Sequence, residues 1–190
     1  MDDINKYFSI NKYVTLEGVL SKEHCKKFSD RLFQLKNENK TTIDDQCNKS
    51  DAIYGDPVLE SLLESLKPIL EKATDKSLAP TYAYARIYRP GEVLKPHIDR
   101  HACEYSATLT LGMDSKNCWP IYVWENGGKI NEVLLDVGDL VVYKGCEVIH
   151  WRNAFAGQWQ TQVFLHYVDV NGPYSDEAEK ESARKQSKVE

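Results

Sequence analysis

The sequence predicts a mainly β, α+β fold: a compact antiparallel sandwich or barrel behind a helical lead-in. Apolar residues recur at helical spacing twice before residue 77, and short alternating segments separated by glycine- and proline-bearing turns fill residues 78–170. Runs of helix followed by runs of strand point to α+β layering rather than alternating βαβ units. The 190 residues suit a single domain over 1–175, with a lead-in over 1–77 and a charged tail over 176–190.

Taken in order, "YVTLEGVL" (13–20) reads as a short strand, and Ser21 then caps a helix carrying Cys25, Phe28, Leu32 and Leu35 on one face. Residues 39–56 are polar and aperiodic, which predicts a loop. A second helix runs from Pro57 to Ala73, with Val58, Leu62, Leu66, Ile69 and Leu70 along its apolar stripe. These two helices are expected to pack on one sheet. The strand segments follow: "TYAYARIY" (81–88), the turn "RPGE", the extended "VLKPHID", "YSATLTLGM", and "WPIYVWENGG". "EVLLDVGDLVVYKG" reads as two strands joined at "DVGD", and "EVIHWRN" and "QWQTQVFLHYVDV" complete the set of six to eight. The tail "DEAEKESARKQSKVE" lacks aromatics and reads as a frayed helix or a disordered segment.

Composition narrows the function. Apolar residues make up 42% and aromatics 11%, a globular balance. The 24 basic and 29 acidic side chains are interspersed, so no basic stripe advertises nucleic-acid binding. The first residues, "MDDINKYFSI", lack a signal peptide's basic start and apolar run, and no apolar stretch reaches the roughly 18 residues of a membrane span. Five cysteines, an odd number without a CxxC pair, argue against a disulfide framework or a structural zinc site and for a reducing, cytoplasmic compartment.

The chemistry gathers around "KPHIDRH" (95–101). On an extended strand His97 and Asp99 share a face, about 7 Å apart along the backbone. Two such ligands alone are most simply a solvated strand edge. A third candidate, His150 in "EVIHWRN", ends a strand that a sandwich can bring alongside. Two histidines and one carboxylate form the facial triad of non-haem Fe(II) oxygenases, although zinc takes the same ligands for hydrolytic chemistry.

Residues 78–168 resemble the Fe(II)/2-oxoglutarate-dependent dioxygenase superfamily, in particular its prolyl 4-hydroxylase-like branch. The ordered set "YRPGEVLKPHID", "SATLTLGM", "NEVLLDVGDLVVYKG" and "VIHWRNAFAGQWQTQVFLHYV" carries the likeness, through Tyr88 and Gly91, His97 and Asp99, Gly138 and Asp139, and His150. The resemblance implies a double-stranded β-helix (jelly-roll, cupin-like). It also implies Fe(II) on His97, Asp99 and His150, with 2-oxoglutarate and O₂ as cosubstrates, and hydroxylation of a C–H bond with release of succinate and CO₂.

The sequence departs from the branch at one point. About ten residues after the distal histidine a lysine or arginine is expected to anchor the far carboxylate of 2-oxoglutarate, but Gln160 and Gln162 stand there. Arg152, two residues after His150, is the favoured replacement, assisted by Gln160 or Gln162, and Arg86 and Lys116 are the others. Tyr88 would donate a hydrogen bond to the cosubstrate, and Thr108 and Thr110 would line the pocket. His101 is read as a surface or substrate-rim residue rather than a ligand, His166 as a satisfied core histidine or else a pocket-lining one, Asp139 as a turn support, and the four tryptophans as core or else a hydrophobic collar or substrate rim. Loop 39–56 and segment 92–105 would frame the entrance for a peptide or small-molecule substrate. The rival readings are a cupin-like metalloenzyme that does not use 2-oxoglutarate and a non-catalytic binding jelly roll.

Overall fold

The computed structural model describes residues 2–114, 118–125 and 127–187. Its elements are α1 (Asp2–Asn11), β1 (Tyr13–Leu16), α2 (Lys22–Asn37), β2 (Asp51–Tyr54) and α3 (Pro57–Thr74). There follow β3 (Leu78–Tyr88), β4 (Leu94–His97), β5 (Tyr105–Met113), β6 (Ile121–Trp124) and β7 (Ile130–Val133). The chain ends with β8 (Leu140–Lys144), β9 (Ile149–Arg152), β10 (Gln160–Asp169) and α4 (Glu177–Gln186). The strands form a six-stranded sheet, ordered β1-β8-β5-β10-β3-β2, and a four-stranded sheet, ordered β4-β9-β6-β7. The recorded strand pairs are antiparallel.

The period-2 geometry of a strand sorts the large sheet into two faces. Ala83, Ala85 and Ile87 of β3, Ala107 and Leu109 of β5, and Val163 and Leu165 of β10 point one way, into a core closed by α2 and α3. Tyr82, Tyr84, Arg86 and Tyr88 of β3, with Phe164 and His166 of β10, point the other way, toward the small sheet. Both helices begin as their sequences dictate. Ser21 accepts from the His24 amide, and Asp56 accepts from the Val58 and Leu59 amides with Pro57 in the first turn. Leu59, Leu62, Leu63, Leu66 and Leu70 are the buried stripe of α3, each worth about 1.5–3 kcal/mol of burial. Val58, expected on that stripe, is exposed, because the stripe runs through Leu59 and Leu63 instead.

Several expectations are corrected. The lead-in holds three helices, not two, since α1 precedes the first strand and packs Phe8 against Tyr105. The 39–56 loop contains β2, which pairs with β3 at the sheet edge, and a bridge between Thr42 and Ala52. The "DVGD" segment does not close a hairpin: β7 lies in the small sheet and β8 in the large one, so the chain crosses between sheets there. Gly138 takes φ +98° at that crossing, where an added Cβ would stand 2.3 Å from the Leu20 carbonyl oxygen. Asp139 supports the turn, accepting from the amides of Gly18 and Asp136. Over residues 177–186 the tail, expected to be frayed or disordered, is the helix α4, held by Glu181, whose buried carboxylate meets Arg100, Arg184 and the Tyr54 hydroxyl. No helix among the described residues is long and apolar enough to cross a membrane.

Candidate metal centre

β4 and β9 pair so that His97 stands directly across from His150. Asp99 lies just beyond the end of β4, fixed by its own amide donating to the Gly145 carbonyl at 2.8 Å. The Nε2 atoms of His97 and His150 are 3.5 and 3.6 Å from Asp99 Oδ1. The three ligand atoms all lie within 4.8 Å of one another, close enough to share one metal ion.

The ring orientations follow from the backbone. His97 Nδ1 donates to the Lys95 carbonyl (2.8 Å) and His150 Nδ1 to the Val148 carbonyl (2.9 Å). A carbonyl only accepts, so each neutral ring carries its proton on Nδ1 and turns the Nε2 lone pair toward Asp99. Asp99 Oδ2 accepts from the Ser106 hydroxyl at 2.9 Å, and that hydroxyl also lies 2.9 Å from His166 Nδ1. Gly145 packs so tightly here that an added Cβ would fall 2.2 Å from the Cys103 carbonyl oxygen and 2.6 Å from Asp99 Oδ2.

Electrostatics favour the ligating forms of His150 and Asp99, while His97 is drawn toward its protonated form. Burial lowers the pKa of His150, so its imidazole is neutral near neutral pH. Burial alone would also lower that of His97, but its contacts with Asp99 and the Lys95 carbonyl outweigh burial and raise it. Burial would raise Asp99, yet the neighbouring His97, His150, His166 and Ser106 hold it below the ordinary carboxylate range. Burial pushes His166 down to about 4, so it stays uncharged. Asp99, Cys103 and His166 also bring ligand atoms within 4.8 Å of each other. That set is the weaker donor, because burial raises the Cys103 thiol pKa and Ser106 already engages His166.

The triad opens on a cavity of about 410 Å³ between the sheets, walled by Tyr82, Tyr84, Arg86, Tyr88 and Leu94 among others. Arg152 shares the inward face of β9 with His150, as strand parity predicts, and is 1% exposed. It stacks over Trp119 and donates from Nη1 to the Trp119 carbonyl, while its Nε and Nη2 have no partner. The Tyr88 hydroxyl is buried and unpartnered as well. The two glutamines bond to each other and to Thr108. Gln160 Nε2 donates to Gln162 Oε1, and Gln162 Nε2 donates to Thr108 Oγ1, so one N–H of each amide is engaged within this chain, while Gln160 Oε1 is buried without a partner. Gln160 and Gln162 share the inward face of β10 with Phe164 and His166, across from Tyr88 and Arg86, but the cavity lining runs through those neighbours rather than through the glutamines. Thr110 likewise donates to Gln162 rather than lining the pocket. Lys116 lies outside the described residues.

Of the tryptophans, Trp119 is core, whereas Trp124 is 46% exposed and with Trp151, Ile98 and Ile130 walls an apolar depression outside the small sheet that reaches His97. Asp44 and Gln46, from the polar loop 39–56, reach into the cavity, a role their aperiodic segment did not reveal. Ser106 and Gly145 were equally hidden, since nothing local distinguishes a serine or glycine beside a carboxylate from any other.

No protein-family model matches the sequence, and no curated protein matches it significantly. The fold is shared with solved structures at low identity. A prolyl-4-hydroxylase from Pseudomonas putida aligns at 14% identity and TM-score 0.71, over 88% of this chain and 97% of that one. A prolyl hydroxylase from Trichoplax adhaerens, in complex with a hypoxia inducible factor peptide fragment, gives 13% and 0.73, over 96% and 91%. HygX from Streptomyces hygroscopicus, with nickel, 2-oxoglutarate and hygromycin B bound, gives 12% and 0.73, over 90% and 88%. The shared fold is the double-stranded β-helix.

Proposed function

We propose that the protein is a non-haem Fe(II)- and 2-oxoglutarate-dependent dioxygenase that hydroxylates a C–H bond of a peptide side chain or small molecule, forming succinate and CO₂. The observation that carries this reading is the convergence of His97, Asp99 and His150, with both Nδ1 atoms engaged by carbonyls and both Nε2 atoms close to Asp99 Oδ1. Two imidazoles and one carboxylate on one side of an ion leave positions open for cosubstrate and O₂. The solved structures of like fold that carry Fe3+ with alpha ketoglutarate, nickel with 2-oxoglutarate and hygromycin B, or a peptide fragment support a metal with 2-oxoglutarate and a peptide or small-molecule substrate. The five cysteines are free, which supports a reducing, cytoplasmic location.

The chain also fits 2-oxoglutarate despite the missing cation on β10. Arg152 offers two unpartnered donors in a buried setting and Tyr88 a third, an arrangement costly unless an anion completes it. Burial without a carboxylate partner lowers the Arg152 pKa, a penalty that the far carboxylate of the cosubstrate would relieve.

Bound Fe(II) with 2-oxoglutarate and O₂ supplies the oxidising equivalent for C–H hydroxylation. In this chain His97, Asp99 and His150 would hold the ion, and Ser106 would keep Asp99 turned toward it. Arg152 and Tyr88 would orient the cosubstrate. Leu94, Trp119 and Phe155, packed around Tyr88, would keep water from it. Incubating the protein with ferrous iron, 2-oxoglutarate and O₂ should release succinate above the level of a His97→Ala variant. Succinate no higher than that control, with metal still bound, would favour the cupin-like metalloenzyme. Metal content unchanged by His97→Ala would favour the binding jelly roll.

A further inference from the structure

Arg86 is 2% exposed yet forms part of the cavity wall, and its Nη1 has no partner. Its Nη2 donates to Asp44 Oδ2 at 2.7 Å and to Gln46 Oε1 at 2.9 Å. The Tyr84 hydroxyl donates to the same Asp44 Oδ2. Gln46 Nε2 lies 3.2 Å from His97 Nε2, against the lone pair that would face a metal. A buried guanidinium and a phenol converging on one carboxylate oxygen make a charge-assisted clasp. The loop thus occupies, with its own side chains, the places a ligand would take: a carboxylate on Arg86 and Tyr84, and an amide beside His97.

We propose that Arg86 and Tyr84 form a recognition site for a carboxylate of the substrate, filled in the free protein by Asp44, and that residues 43–46 give way when that carboxylate docks. The inference rests on the oxygenase reading only in calling the ligand a substrate. Charge selects the ligand class. Burial would raise the Asp44 pKa, but Tyr84 and Arg86 outweigh it and hold the carboxylate ionised. An incoming anion can therefore replace Asp44 without leaving Arg86 uncompensated, whereas a neutral ligand would strand a buried cation.

The segment is built to yield locally. The Thr42–Ala52 bridge fixes one side. On the other side Cys47 is buried against Tyr88 and Leu94, and Ser50 and the Lys49 amide are tied to Glu92. Only residues 43–46 lie between, and Ile43 among them is 59% exposed.

Asp44→Asn is the informative variant, because it keeps the Oδ1 that accepts from the Gln46 and Cys47 amides and replaces the charged Oδ2 with an amide nitrogen that cannot accept from Arg86 or Tyr84. Calorimetry with Mn(II) and saturating 2-oxoglutarate would compare N-acetylglycine with its neutral amide. The variant should bind N-acetylglycine about tenfold tighter than the natural protein, with no gain for the amide. Adding Arg86→Gln or Tyr84→Phe should remove most of that gain, and having two variants guards against one that folds poorly. Equal affinity in Asp44→Asn and the natural protein, or a gain that survives Arg86→Gln, would overturn the proposal. Should saturating 2-oxoglutarate block the probe, the pocket belongs to the cosubstrate and the inference falls while the oxygenase reading stands. Should neither Mn(II) nor 2-oxoglutarate bind, yet the gain persist, the carboxylate site stands and the oxygenase reading falls.

Discussion

Gly145 shows how little room the triad leaves. Its Cα faces the Cys103 carbonyl, Asp99 Oδ2 and the Ser106 hydroxyl at once. Gly145→Ala must push one of the three aside, and the backbone carbonyl is the least able to move. We expect a loss of about 1–3 kcal/mol of stability and a fall of tenfold or more in Mn(II) affinity, of the size seen when the groups around metal ligands are disturbed. Thermal melts and a metal titration check both numbers, and an unchanged metal affinity would mean that Asp99 does not depend on this packing. At this scale legibility was uneven. His97 and Asp99 were readable because strand parity puts i and i+2 together, and Arg152 beside His150 for the same reason. The hydrogen-bond chain through Gln160, Gln162 and Thr108 was not, since it depends on the register between β10 and β5. Nor was the Asp44–Arg86 pair, which joins an aperiodic loop to a distant strand.

Among the elements, α4 has the clearest dependence on pH. Burial would raise the Glu181 pKa, but Arg100, Tyr54 and Arg184 outweigh it and hold the carboxyl at about 2, against 4.5 for a free glutamate. A folded-state pKa below the unfolded one contributes stability that is complete above about 4.5 and lost as pH falls toward about 2. Acid should therefore detach α4 in that window, and Glu181→Gln should flatten the acid limb. Helical circular dichroism followed from pH 6 to pH 2 in both proteins would test it, and superimposable curves would remove Glu181 as the holding group. The sequence of α4 contained the helix but concealed its docking: one buried carboxylate in a charged run looks like any other exposed one. α2 and α3 were readable because caps and apolar spacing agree. α1, with little apolar stripe, and the four-residue edge strand β2 were missed because each owes its place to a neighbour rather than to its own pattern.

For the whole molecule, an ion on the triad would tie β4, the edge of the small sheet, to its neighbour β9 and to the loop carrying Asp99. A ligand bound only by the native state at a hundredfold excess over its Kd adds about 2.7 kcal/mol. For a chain of this length that is roughly 5–10 °C in Tm. Adding Mn(II) to protein stripped by chelator should produce such a rise in the natural chain and none in His150→Ala, as read by scanning calorimetry. The layer arrangement was legible from the switch of apolar period near residue 78, whereas the crossing of the chain between sheets at "DVGD" was not. A turn that ends a hairpin and a turn that changes sheets use the same residues. The two-faced character of β3 bears on how such a protein can diversify. One inserted residue within that strand would rotate Tyr84, Arg86 and Tyr88 into the helix-packed layer and turn Ala83, Ala85 and Ile87 toward the ligand. Descendants of this chain can therefore retune what they bind by exchanging side chains along β3, or by lengthening the loops at its ends, whereas changing the count between them by one would need a bulge to restore the facing, like the irregularity already present at His166/Tyr167.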